Sequence, residues 1–400
     1  MRKEFTVVGG LYREISPKFD LFLGSGGRAS LFLATQNIDI TFVTCASNQA
    51  CKSFQSSKKG LTSGNGNIII DNEEIYSDIS FKYSSYLFDP LIFGSIEEEK
   101  SKQIDLDNCL YFGMLSANIE VKATNKVVYD PQNTSNPKKF SETGSIAGEL
   151  AVVLNEHEAK AMVGNHEIME LLRKVQQYNN ADIVVLKRGP YGALVLTNDK
   201  ITNIPVFLSK KFCKIGSGDI FSACFAYCWI FESLNPIEAA LKASKAVSAY
   251  VETQRFESLP IILNRNFTEL DLQKIAKKIY LAGPFFSISE LWLVEKLKAI
   301  FELYDIKVFS PYHDVGIFNN HFEIAQADLD GLQQADNIFA IANNFDPGTV
   351  FEIGYARALN KNVFMLLDYP AKKDLAMFDG TGCIISNDID YLIYRAIWNQ

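Results

Sequence analysis

The chain has 400 residues, 48% apolar and 22% charged, which is ordinary globular composition but more chain than one hydrophobic core supports. Its net charge of -8 excludes a general attraction for polyphosphate backbones, so no nucleic-acid polymer is expected as a partner, although small anions can still bind at helix N-termini. The 7 scattered Cys, none in CxxC spacing, and only 4 His argue against a zinc cluster and for reduced thiols in a cytoplasmic protein.

The opening MRKEFTVVGGLY reads as a basic start and a strand rather than a secretion signal. Residues 5–10 predict a first strand closed by glycines, and residues 41–44 and 68–70 predict two more, with Gly64-Asn65-Gly66 as a hairpin signal. Residues 78–96 show no clear period, and residues 122–129 read as a helix end or a strand before Asp130-Pro131. Helices are predicted over 151–163 and 167–178, then buried strands over 183–186 and 193–197. Residues 219–231 predict a strongly apolar helix, though the apolar run is too short to span a bilayer, and residues 236–251 a second helix. Polar, unpatterned residues around 264–269 mark a boundary, giving expected units of 1–263 and 277–400. The pattern then restarts: strand 279–282, helix 289–303, strand 307–309, helix 321–335, strand 338–341, helix 351–359 and strand 363–367. Alternating strands and helices predict the α/β class for both units.

In the first unit, Lys214-Ile215-Gly216-Ser217-Gly218-Asp219 leads directly into the apolar helix. Glycines let a backbone approach a ligand closely, and the first N–H groups of a helix favour an anion. An aspartate at the same helix start can take a proton from an alcohol held beside a phosphate, a pairing that suits phosphoryl transfer. The same residues also read as turn glycines and a helix N-terminal charge.

With Gly26-Gly27 in LGSGGRASLF, Asp130-Pro131-Gln132, the N-x-x-E run Asn155-Glu156-His157-Glu158 and the loop from Lys187 through Gly189 to Gly192, this segment resembles the ribokinase-like (PfkB) carbohydrate and nucleoside kinases over roughly residues 5–260. The resemblance implies a ribokinase-like αβα fold, with Asp219 as the base and Gly216, Ser217 and Gly218 cradling the transferred phosphoryl group. It implies ATP near Lys187, Gly189 and Gly192, Mg²⁺ placed with help from Asn155 and Glu158, and an acceptor near Gly26 and Gly27. Two departures stand out. Residues 10–14 (GLYRE) lack the aspartate the family carries after its first strand, and Leu31, with Ser30 beside it, stands where the family has an asparagine. A plain hexose or ribose is therefore not the expected acceptor.

In the second unit, Tyr280-Leu281-Ala282-Gly283-Pro284-Phe285-Phe286 places a strand before a flexible turn. A helix bearing Asp328, Asp330 and Asp336 precedes a core strand, and Asp346-Pro347-Gly348-Thr349 leads to Glu352, expected in the first turn of the next helix. Carboxylates converging above the carboxyl ends of the strands could attack an anomeric carbon and handle a proton. Alternatively, Glu352 complements a helix N-terminus while the other acids coat a solvated helix.

These pieces, from about residue 277 to 368, resemble the nucleoside 2-deoxyribosyltransferase family and its relatives that hydrolyse deoxynucleoside monophosphates. The resemblance implies a smaller flavodoxin-like, Rossmann-like αβα domain and no cofactor for deoxyribosyl transfer. Glu352 would attack the 1′ carbon, Asp328 hold the sugar or assist proton transfer, and Asp346 face the nucleobase. Tyr280 would position Glu352 or the sugar. Gly283, Phe286, Gly348 and Thr349 would line the substrate. Partners would be small nucleosides, nucleobases or nucleotides, with no membrane. A homo-oligomer fits the family's habit, but residues 380–387 do not match its usual subunit-completing tail. The expected activity is deoxyribosyl transfer in a nucleoside-salvage enzyme fused to a kinase-like unit. The alternative is an N-glycoside hydrolase of deoxynucleosides or their 5′-monophosphates whose kinase-like unit only binds a ligand.

Overall fold

A computed structural model describes residues 3–62, 64–85, 87–94, 100–316, 320–368 and 375–399. The chain forms two compact units, Met1–Glu269 and Leu270–Gln400.

The strands of the first unit are β1 (Glu4–Val8), β2 (Arg13–Ser16), β3 (Phe19–Phe22), β4 (Asp39–Ala46), β5 (Ile68–Glu74), β6 (Ser80–Lys82), β7 (Leu91–Phe93), β8 (Lys100–Leu106), β9 (Cys109–Phe112), β10 (Ala117–Ala123), β11 (Lys126–Asp130), β12 (Glu149–Asn155), β13 (Ile183–Lys187), β14 (Ala193–Thr197) and β15 (Lys200–Ile204). Nine of them build one sheet in the order β15-β14-β13-β12-β11-β9-β1-β4-β5. It is parallel except where β14 joins β13 and β15. Successive residues feed opposite faces: Phe5 and Val7 enter one core, and Val8 enters the other. The first core is completed by the Gly24–Ala34, Ser217–Ala226 and Pro236–Thr253 helices. The second is completed by the Glu156–Val163 and Ile168–Asn179 helices, so the unit is a three-layered αβα body.

In the second unit, β16 (Lys278–Ala282), β17 (Lys307–Phe309), β18 (Asn337–Ile341), β19 (Asn362–Leu366) and β20 (Ile384–Ser386) pair in parallel in the order β17-β16-β18-β19-β20. Counted within the unit this is 2-1-3-4-5, the doubly wound flavodoxin-like order. The connections reverse direction between β16 and β18, which opens a crevice at their carboxyl ends. Tyr280 and Ala282 of β16 share a core with the His321–Gln334 and Pro347–Ala358 helices. On the other face Phe301 packs edge-on against Phe339, with ring centroids 5.5 Å apart.

Three sequence expectations need correction. Residues 151–155, expected as helix, belong to β12, which pairs in parallel on both sides and is buried along most of its length. Such a strand reads as a continuous apolar run, which periodicity cannot separate from a buried helix. Gly64-Asn65-Gly66 does not close a hairpin. β4 and β5 run parallel, and the Asn48–Leu61 helix supplies the crossover that parallel pairing demands. Gly66 instead passes close to the end of the Gly24–Ala34 helix, donating its N–H to Ala34 O at 3.0 Å. Lastly, the helix expected from residue 351 starts at Pro347, so Glu352 lies in its second turn. Asp346 caps that helix, and Pro347 fits the first helical position because its missing N–H would have had no helical partner. Within the unpatterned stretch 78–96, residues 86, 95 and 96 lie outside the described residues.

Two candidate active sites

At the crevice of the second unit, the Tyr280 side chain rises from the middle of β16, fully buried, with its ring stacked on Phe309 at 5.4 Å. Its hydroxyl donates to Glu352 Oε1 at 2.6 Å. Glu352 itself is half-buried. Burial pushes its pKa up to about 7, against the hydrogen bond from Tyr280, and the charges of Asp328 and Asp346 push the same way. Burial also raises Asp328, to about 6, and its Oδ1 is buried without a partner among the described residues. A buried acceptor left unpaired is costly, and a ligand hydroxyl would satisfy it. Tyr280, Asp328, Asp346 and Glu352 are thus brought into one electrostatic neighbourhood.

Asp346 also has a structural task. Its Oδ2 accepts from Thr349 N at 2.9 Å and from Thr349 Oγ1 at 3.1 Å. The buried Thr349 is therefore tied to this cap, and Gly348 sits beside the same oxygen. Asp346→Ala is expected to lower the stability of this unit by about 1 kcal/mol through loss of the cap, read as a fall in urea midpoint, apart from any catalytic effect. Gly283 leaves room for the Ile341 side chain, since a Cβ there would approach it to 2.9 Å. Phe286 is exposed, its ring lies tilted against Phe285, and its N–H donates to Glu290 Oε2 at 3.1 Å. Asp330, on the solvated side, accepts from Gln326. Asp336 accepts from Lys277 N and Lys278 N and so pins the start of β16.

In the first unit, Gly216 has φ +76°, a left-handed conformation that favours glycine, and it starts the Ser217–Ala226 helix. Asp219 is buried in the first turn of that helix. Lys187 ends β13, and its Nζ donates to Asp130 Oδ2 at 2.6 Å, an oxygen that also accepts from Ser222 Oγ at 2.7 Å. Burial disfavours the Lys187 charge, but Asp130 and Glu158 outweigh it and raise the pKa. Lys187 Nζ also lies next to Gly218, 3.4 Å from where a Cβ would stand. Asp130 is 0% exposed, and its Oδ1 has no partner among the described residues.

Asn155 and Glu158 form a reciprocal helix cap: Asn155 Oδ1 accepts from Glu158 N, and Glu158 Oε2 accepts from Asn155 N, both at 2.9 Å. The N-x-x-E spacing therefore has a complete structural explanation. Glu158 is nevertheless buried and pushed up to about 7, first by desolvation and then by Asp130. Among the described residues no three His, Cys, Asp or Glu side chains converge as a ready metal site. Gly189 and Gly192, both at positive φ, shape the turn from β13 into β14. Gly26 and Gly27 lie in a fully buried helix, where Gly26 leaves room for Phe42 and the Gly9 backbone, and Gly27 for Phe54.

Sequence reasoning missed the most unusual group here. Arg28, 2% exposed, donates through Nη1 to Asp219 Oδ2 at 2.9 Å and to Glu14 Oε1 at 3.2 Å. Its Nη2 bonds Glu14 Oε2, and its Nε donates to Tyr250 Oη at 3.0 Å. A signal was present: Arg28 is the single charge in LGSGGRASLFLA, a run apolar enough to be buried whole. Among the described residues no helix is long and apolar enough to cross a membrane.

Two family models match the chain. One described as Nucleoside 2-deoxyribosyltransferase matches residues 279–383, and one described as pfkB family carbohydrate kinase matches residues 117–258, which leaves the Gly26-Gly27 motif outside the matched stretch. No curated protein matches the sequence. Among solved structures, a ribokinase from Thermotoga maritima is 14% identical, covering 66% of this chain and 100% of its own, with a TM-score of 0.49. A ribokinase from Arabidopsis thaliana complexed with ribose and ATP is 15% identical, with the same coverage and TM-score. A nucleoside kinase from Methanocaldococcus jannaschii is 13% identical, covering 66% of this chain and 98% of its own, with a TM-score of 0.46.

Proposed function

We propose that the second unit breaks and remakes the N-glycosidic bond of 2′-deoxynucleosides through a covalent ester on Glu352. The Tyr280–Glu352 hydrogen bond at 2.6 Å carries this reading, because it fixes one carboxylate oxygen and leaves the other free to attack. In the first step the C1′–N bond breaks and a C1′–O bond to Glu352 forms. The electron pair leaves with the base, which takes up a proton; Asp346, whose Oδ1 lies outside the cap, would deliver it. In the second step an incoming base displaces the ester and passes its N–H proton back to Asp346, and Glu352 recovers its charge, with overall retention at C1′. Asp328 suits the sugar better than the proton. Its unpartnered oxygen can accept a deoxyribose hydroxyl.

The hydrolytic reading is favoured by the double engagement of Asp346 with Thr349, which makes this aspartate less free to orient a nucleobase than the transferase reading assumes. One incubation separates the two: a 2′-deoxynucleoside with an excess of a second free base, followed by chromatography. Transfer predicts the exchanged nucleoside as main product, and hydrolysis predicts free deoxyribose. Intact-mass measurement on quenched enzyme should show the deoxyribosyl adduct. Its absence from Glu352→Gln places the ester on Glu352, whereas an unchanged adduct in that variant removes the proposal.

For the first unit, the residues fit the phosphate-donor end of kinase chemistry. The N–H groups opening the Ser217–Ala226 helix and the nearby Lys187 would receive the ATP phosphates. The unpartnered oxygen of Asp130 and the buried Glu158 are the hard oxygen donors Mg²⁺ prefers. Bound there, the ion would supply charge neutralisation. The setting proposed for both units is nucleoside salvage in the cytoplasm.

A further inference from the structure

We infer that Arg28 occupies the phosphoryl-acceptor place of the first unit and, locked by Glu14, excludes neutral alcohols from Asp219. This goes beyond the donor-end reading above and does not rest on the Glu352 chemistry.

The argument begins with space. A Cβ at Gly216 would overlap the Nε, Cδ and Cζ atoms of Arg28. The room that glycine leaves above the phosphate loop is therefore filled by the chain's own guanidinium. Next come the lone pairs. Asp219 Oδ2 accepts from Arg28, and Asp219 Oδ1 accepts from Gln132 Nε2 at 3.3 Å. Each carboxylate oxygen keeps a second lone pair, but an alcohol must share that oxygen with Arg28 or Gln132 and enter the space the guanidinium fills. Charge adds to the block. Burial raises the pKa of Asp219, which would favour a base, but the Arg28 charge works against it. Lys187, the other cation facing Asp219, is already paired with Asp130.

Arg28 cannot swing aside easily. It lies mid-helix among eleven buried residues and holds Glu14 with both terminal nitrogens. Displacing it would strand two buried carboxylates without a counter-ion, a penalty of about 10²- to 10³-fold in the affinity of any neutral ligand that tried. Nor is the guanidinium a free anion site, because two carboxylates and the Tyr250 hydroxyl already use its donors. Arg28 and Glu14 are thus specificity-determining residues that set the acceptor class to none among neutral sugars and nucleosides.

The test uses the full chain with Mg²⁺ and ATP and a panel of ribose, fructose, adenosine and 2′-deoxyadenosine. Phosphorylated acceptor is measured by mass spectrometry, and acceptor binding by calorimetry. Wild type should form no more product than Asp219→Asn. The double variant Glu14→Gln/Arg28→Asn, which removes the lock without stranding Glu14, should bind at least one panel member at least 10-fold more tightly than wild type. Glu14→Gln alone, which weakens the lock but leaves the guanidinium on Asp219, should bind the panel no more tightly than the double variant and no more weakly than wild type. Asp219-dependent phosphorylation by wild type overturns the inference without any variant. So does equal acceptor binding, or equal absence of it, in wild type and a double variant shown to be folded by its melting transition.

Discussion

Glu352→Gln is expected to cut nucleobase release from 2′-deoxynucleosides by at least about 10³-fold, because an amide oxygen cannot form the ester that divides the displacement into two steps. The fold should survive. The amide can still accept from the Tyr280 hydroxyl, and the substitution removes a buried group that resists ionisation. The sign follows from burial: Glu352 holds its proton up to about pH 7 in the folded chain, so its ionisation costs stability as pH rises through that value. At pH 8 the Gln variant should therefore melt no earlier than wild type, which separates lost chemistry from lost structure. The same ionisation predicts that wild-type kcat/KM rises with pH through about 7, since only the carboxylate attacks. Tyr280→Phe removes a donor that favours the ionised form, so the acidic limb should move to higher pH while some turnover remains. A limb unmoved in Tyr280→Phe would show that the hydrogen bond does not tune the group that limits turnover.

The parts of both sites that were readable share one property: local backbone geometry demands particular residue types in a short run. Gly216 is needed at a left-handed position, Asp219 follows it into a helix start, and Asp346-Pro347 is a cap followed by a proline at the first helical position. Tyr280 and Glu352 are 72 residues apart, and only the family motifs tied them together. What stayed hidden was set by distant partners. Nothing near Arg28 says that Glu14 and Asp219, 14 and 191 residues away, close around it. The lone charge in an apolar helix signals that a partner exists without naming it. β12 was unreadable for a related reason. With strands on both sides and helices on both faces, its side chains lose the alternation that marks a strand. Conversely, the N-x-x-E motif was legible but ambiguous, because one spacing serves a helix cap and a metal site equally.

Arg28→Met is expected to destabilise the first unit by about 3–5 kcal/mol at neutral pH, the usual cost of leaving a buried charge without its partner. Hydrogen exchange read by mass spectrometry reports peptides of each unit separately, so the loss should appear in residues 3–269 and leave the second unit unchanged. The loss should depend on pH in a defined direction. Without the guanidinium, Asp219 keeps the burial that already raises its pKa and loses the charge that opposed it. Its folded value then lies still further above the unfolded one, so the variant is least impaired at acid pH and worsens as pH rises. Adding Glu14→Leu and Asp219→Asn to Arg28→Met should restore most of the stability, because replacing a whole buried ion network is far less costly than breaking it. If the single variant proved as stable as wild type at pH 8, the guanidinium would not be held as tightly as its contacts with Glu14, Asp219 and Tyr250 require. An alcohol could then displace it. Recovery in the triple variant would instead show that stability alone does not demand these charges, so their presence at a kinase-like helix start would need a reason in what the pocket must refuse.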